Sequence, residues 1–164
     1  LIEWLTGRIP VGSNVIAFSM GADIAIRYHS YLQARNLVVL DGGIIDYDLM
    51  NITLEEDIAM TKSYIKENQL DMNAETIAKL TSLLREQYID IFHAGLNTET
   101  LLLLSDHPDF VYQYKMNKIE ANHDSMNHIK IQFIKDTSHE IYVEKPKEVV
   151  KDIMDWLERM MPLF

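Results

Sequence analysis

The stretch Val15-Ile16-Ala17-Phe18-Ser19-Met20-Gly21-Ala22-Asp23-Ile24-Ala25 decides the fold. Val15 to Phe18 is an apolar run too short for a helix and suited to a buried strand. Ile24, Ala25 and Tyr28 then recur at helical spacing, which predicts a helix over 21–33. A serine stands at the turn between them. Upstream, residues 1–5 read as the tail of an amphipathic helix, and 7–14, with two glycines, a proline and a serine, as a connection.

Outward from this unit the same rhythm returns. Residues 36–40 form a second apolar run, closed by Asp41-Gly42-Gly43, and 100–105 and 129–134 a third and a fourth. A helix is expected over 110–122, with Val111, Tyr114 and Ile119 on one side. Pro146 opens a last helix to about Met160, with Val149, Ile153, Trp156 and Leu157 inward, because proline suits a first helical turn. Strands alternating with helices predict an α/β fold with a parallel sheet and flanking helices. Residues 46–97 break the rhythm as an all-helical insertion. There Thr53 and Glu56 make a capping box before a helix to about Glu67. Asn73 caps a longer helix to about Ala94, with Gly95 past its end and Ile77, Leu80, Leu84, Tyr88 and Ile91 as its stripe. The core is thus expected over 1–45 and 98–164.

Composition narrows the classes. A chain of 164 residues, 48% of them hydrophobic, can bury the core of one domain. The absence of cysteine excludes a disulfide framework and any thiolate metal site, and fits a cytoplasmic location. The net charge of −10 repels phosphate backbones and anionic lipid, so neither nucleic acid nor a membrane surface is an expected partner. No apolar run approaches the roughly 20 residues of a membrane span. The chain starts at Leu1, in mid-pattern, and is expected to be cut from a longer polypeptide.

The turn at Ser19 resembles the nucleophile elbow of the α/β-hydrolases, a strained strand-to-helix bend with the pattern G-x-S-x-G. The residues two before and two after the serine are small there because strand and helix pass close by. Here they are Ala17 and Gly21, so the first small position carries one extra methyl. His139, in Ile134-Lys135-Asp136-Thr137-Ser138-His139, follows the last strand as the family's histidine loop does, and Glu144-Lys145-Pro146-Lys147-Glu148-Val149 resembles the segment that opens its closing helix. The remaining histidines, His29, His93, His107, His123 and His128, read as surface or structural.

The resemblance covers the C-terminal half of the fold. It implies Ser19 as nucleophile, His139 as its base, the Met20 backbone N–H as an oxyanion donor, and no metal or cofactor. Family branches with an aspartate nucleophile do not fit Ser19. The acid usually follows the penultimate strand, where the expected position falls on Pro108. That makes Asp106 the first choice, Asp41 after the preceding strand the next, and Asp109 the third. The implied chemistry is hydrolysis of a small-molecule carboxylic ester or thioester through an acyl-enzyme. Residues 46–97 would be a cap or lid, with Met50, Ile58, Met60 and Tyr64 candidates for an acyl pocket, although at helical spacing they also read as plain core.

The first strands and the loop carrying a second oxyanion N–H would lie in the missing N-terminal half. Lacking one donor typically costs on the order of 10²–10³ in rate. The edge at 15–18 would then be bare, and would bind that missing half or self-associate. The alternative is a non-catalytic module of the same fold that binds a small acyl ligand or a partner. A flavodoxin-like reading would want a phosphate-cradling loop, and Gly12 with Ser13 does not supply one.

Overall fold

The computed structural model of the chain describes residues 1–160, apart from the side chains of Asp48 and Met50, so Met50 as a pocket candidate lies outside the described residues. A short helix α1 (Ile2–Thr6) leads to strand β1 (Asn14–Phe18), then helices α2 (Met20–Arg27) and α3 (His29–Leu32) and strand β2 (Asn36–Leu40). The helix expected over 21–33 is therefore broken at Tyr28, and the Ile26 carbonyl meets His29 Nδ1 at 2.9 Å.

Helices α4 (Leu54–Glu67) and α5 (Ala74–Glu86) precede β3 (Glu99–Ser105), α6 (Asp109–Ala121), β4 (Ile129–Ile134), α7 (Ile141–Glu144) and α8 (Pro146–Met160). The strands form one parallel sheet in the order β1-β2-β3-β4. All of β2, and β3 from Thr100 onward, are buried, as expected of central parallel strands covered on both faces. Val38, Leu40, Leu101 and Leu103 pack against Ile134, Ile141 and the Val149, Ile153 and Trp156 stripe of α8. Leu37, Val39, Leu102 and Leu104, which alternate with them, are buried on the opposite face.

The chain divides into two compact units: Leu1–Ile44 with the described residues from Ile89 onward, and Ile45–Tyr88. The second unit is helical. Thr53 and Glu56 close the expected capping box on α4, and Asn73 Oδ1 accepts from Thr76 N–H at 2.9 Å to cap α5. Arg85 binds Asp57 at 3.6 Å and donates to the Ile52 carbonyl, and Ile65, Ala78, Thr81 and Leu84 are buried. Met60 and Tyr64 are exposed and Ile58 is half-buried.

Two expectations are corrected here. Helix α5 stops at Glu86 rather than near Ala94, and residues 89–97 belong with the sheet rather than with the helical insertion. The cause is local competition for backbone donors. Asp90 Oδ1 accepts from the N–H groups of Phe92 and His93, each at 3.1 Å, and Ile91 N–H goes to the Gly43 carbonyl at 2.7 Å. Ile91, assigned to the helix stripe by spacing, is buried in the sheet unit instead.

Trp156 is 1% exposed at the centre of the α8 contact. Trp156→Ala is expected to cost about 3–5 kcal/mol of folding free energy, measured by urea denaturation; a loss below about 1 kcal/mol would contradict this packing.

Candidate active site

Four parallel strands place their carboxyl ends along one edge of the sheet, where α/β proteins gather functional groups. Phe18 pairs with Leu40, so the residues that follow them, Ser19 and Asp41, leave adjacent strands side by side. Ser105 pairs with Ile134, which brings the ends of β3 and β4 together.

Ser19 has φ 52° and ψ −124°, a backbone region costly for any residue but glycine. Hydrogen bonds hold it there. Its N–H donates to the Leu40 carbonyl at 3.1 Å, and its own carbonyl accepts from Ala22 N–H at 2.8 Å and Asp23 N–H at 3.3 Å. Asp23 Oδ1 in turn accepts from Gly43 N–H at 3.2 Å, which ties the first turn of α2 to the chain after β2. Met20 is the first residue of α2, so its N–H belongs to the turn whose amides lack an intrahelical acceptor.

The steric demand of the bend falls elsewhere than the sequence pattern suggests. A Cβ on Gly21 would meet no described atom within 4 Å, and Gly21 is exposed. A Cβ on Gly42 would lie 2.6 Å from Ala22 Cβ, 2.8 Å from the Ser19 carbonyl oxygen and 3.3 Å from Ser19 Cα. The tight approach is thus between Gly42 and the bend itself, with Ala17 and Ala22 buried beside it.

His139 reaches this edge from beyond β4. Its Nε2 lies 2.9 Å from Ser19 Oγ, and its Nδ1 lies 2.9 Å from Asp41 Oδ2. A carboxylate only accepts, so Nδ1–H is the donor to Asp41, and Nε2 is left to accept the Ser19 hydroxyl proton. The imidazole is half exposed and packs against Phe18 at 4.8 Å between centroids, while Tyr142 meets Phe18 edge-on at 4.9 Å. The loop before it is pinned on both sides. Thr137 donates its hydroxyl to the Ile134 carbonyl at 2.6 Å, and the Ser138 N–H and hydroxyl both bind the Glu144 carboxylate.

Asp41 is 4% exposed. Its Oδ1 accepts from Lys115 Nζ at 2.6 Å and from Ser105 N–H at 2.8 Å, and the Ser105 hydroxyl lies 3.0 Å from each carboxylate oxygen. Burial pushes this carboxyl up. The hydrogen bond from His139, the charge and hydrogen bond of Lys115, and the Ser105 N–H together outweigh burial and hold it below the ordinary carboxylate value.

The acid preferred from sequence is displaced by this geometry. Asp106 Oδ1 accepts from His107 Nδ1 at 2.8 Å and from Thr137 N–H at 3.1 Å, so it clasps the loop of His139 and leaves the imidazole to Asp41. Asp109 is exposed and opens α6. His93 and His128 pair with Asp90 and Glu99, and His123 is exposed beside Asp124. Lys115, buried at the back of the site, escaped the sequence reading. Its one signal was its place four residues after Val111 on the inward face of α6.

No family model matches the sequence, and no curated protein sequence matches it. Solved structures do. MenH from S. aureus superposes with a TM-score of 0.64 at 18% identity, covering 97% of this chain and 73% of that one. A bromoperoxidase from Bacillus anthracis (0.59, 16%, covering 95% and 71%) and a thermophilic esterase (0.61, 15%, covering 97% and 70%) superpose similarly. The chain has the α/β-hydrolase fold. In this α/β-hydrolase-fold chain, no group of three or more His, Asp or Glu side chains among the described residues is arranged to hold a metal ion. Nor is any described helix long and apolar enough to cross a membrane.

Gly42→Ala is expected to destabilise the protein by about 1–3 kcal/mol, the usual range for overpacking. Gly21→Ala, inside a helix with open space around it, is expected to leave stability unchanged or raise it by up to about 1 kcal/mol. Urea midpoints compare the two, and equal effects would contradict the assignment of the tight contact to Gly42.

The carboxyl of Asp106 is held down to about 2 from 3.8, the hydrogen bonds from His107, Thr137 and Asp136 overcoming the effect of burial. A depressed carboxyl stabilises the fold above the unfolded value, and that contribution disappears as pH falls through the folded one. Asp106→Asn should therefore flatten the decline of urea stability between about pH 4 and pH 2; an unchanged slope would contradict the clasp.

Proposed function

We propose that this chain carries the catalytic groups of a serine hydrolase that cleaves a carboxylic ester or thioester through an acyl-enzyme. The observation that carries the proposal is the continuous line from Ser19 Oγ through His139 to Asp41, with 2.9 Å at each contact. Nε2 takes the hydroxyl proton as Ser19 Oγ bonds to the substrate carbonyl carbon, and the carbonyl oxygen gains the negative charge. The Met20 N–H, at the positive end of α2, is the assigned donor to that oxygen. As the tetrahedral adduct collapses, its bond to the leaving oxygen or sulfur breaks, and that atom takes the proton from Nε2–H. Water then attacks the acyl-enzyme by the same route and frees Ser19. Asp41 fixes the imidazole tautomer and stabilises the imidazolium without accepting the proton.

The half-exposed imidazole of His139 supports this reading. The helical unit Ile45–Tyr88 is assigned the part of a cap on the strength of its place in the chain between β2 and β3. The exposed Met60 and Tyr64 are its candidates for meeting an acyl chain.

A fluorophosphonate probe is expected to label Ser19, and Ser19→Ala to abolish labelling. Asp41→Asn should slow labelling by roughly 10⁴-fold, the usual cost of a wrong tautomer, while Asp106→Asn keeps most of it. Equal labelling of wild type and Ser19→Ala would end this reading. Ligand binding indifferent to Ser19→Ala, with no turnover across an ester and thioester panel, would favour the binding module.

A further inference from the structure

Lys115 is fully buried. Its three N–H donors find three acceptors: Asp41 Oδ1 at 2.6 Å, the Ser105 hydroxyl at 2.7 Å and the Ser105 carbonyl at 3.0 Å. An ammonium that gives up all its hydration needs such a set to stay charged. None of these contacts is with Asp41 Oδ2, the oxygen that meets the imidazole. Lys115 and the Ser105 N–H take Oδ1, the Ser105 hydroxyl lies 3.0 Å from both oxygens, and His139 Nδ1 takes Oδ2.

The charges make the arrangement consequential. With a neutral imidazole, the Lys115–Asp41–His139 group sums to zero; with an imidazolium it carries one net positive charge. A buried cation behind the carboxylate therefore opposes protonation of the imidazole in front of it. We propose that Lys115 is a positioning residue that, acting through Asp41, lowers the basicity of His139 and keeps Nε2 available as a proton acceptor. For catalysis this rests on the serine-hydrolase reading, but the coupling itself does not.

The other charged groups around the cluster are engaged elsewhere. Asp106 acts on Lys115 from the β3–α6 connection and is bound by His107 and Thr137. Glu144 of α7 is bound by Ser138, and Asp23 of α2 accepts from Gly43. None of these hydrogen bonds involves Lys115, so the change reports the lysine.

The test is the titration of the His139 imidazole, followed by NMR in wild type, Lys115→Met and Lys115→Gln. The glutamine variant removes the charge and keeps a donor, in case the methionine variant does not fold. In each folded variant the midpoint is expected to rise by about one pH unit, a typical effect of removing a nearby charge. The acid limb of Ser19 labelling should move with it. An unchanged or lowered midpoint overturns the proposal. Failure of both variants to fold also overturns it, by assigning Lys115 to stability. A raised midpoint in a protein whose Ser19 never labels would uphold the coupling and end the hydrolase reading instead.

Discussion

The carboxylate of Asp41 is the constraint around which this sheet edge is organised. It is removed from water, and a buried charge survives only when partners replace its hydration. Four residues are involved, from four parts of the chain: Asp41 after β2, Ser105 at the end of β3, Lys115 on α6 and His139 beyond β4. Each satisfies another, so the donors and acceptors balance without an orphan among them. The geometry of Ser19 follows from this, because the imidazole that meets its hydroxyl is aimed by the same carboxylate.

The parallel sheet supplies what such a cluster needs. In-register pairing of β1 with β2 and of β3 with β4 delivers the residues after each strand to one edge without long loops. The bends that follow are strained: Ser19 and Asp41 both have positive φ, at 52° and 42°. Backbone hydrogen bonds across the bends, together with the bare Cα of Gly42, hold these conformations in place. Strain of this kind persists only where surrounding structure over-determines it, and residues so held are often functional.

What the sequence revealed divides along the same physical line. The strands were legible because buried parallel strands are apolar runs of limited length, and the capping box on α4 because it is local. The bend at Ser19 and the loop of His139 were legible as compact patterns, and the two side chains lie 2.9 Å apart across 120 positions. The carboxylate partner was not. Asp41, Asp106 and Asp109 all follow strands, and no local pattern separates them. What distinguishes Asp41 is a buried lysine and a serine from other elements, a tertiary fact. The end of α5 failed for a related reason: apolar spacing continued to Ile91, but the Asp90 side chain had already claimed the backbone donors that a helix would need.

The most direct test is a low-field proton NMR spectrum of the imidazole Nδ1–H. A hydrogen bond from His139 to buried Asp41 predicts a strongly deshielded, slowly exchanging resonance in wild type. It should persist in Asp106→Asn and vanish in Asp41→Asn. Its survival in Asp41→Asn, or its loss in Asp106→Asn alone, would contradict the account.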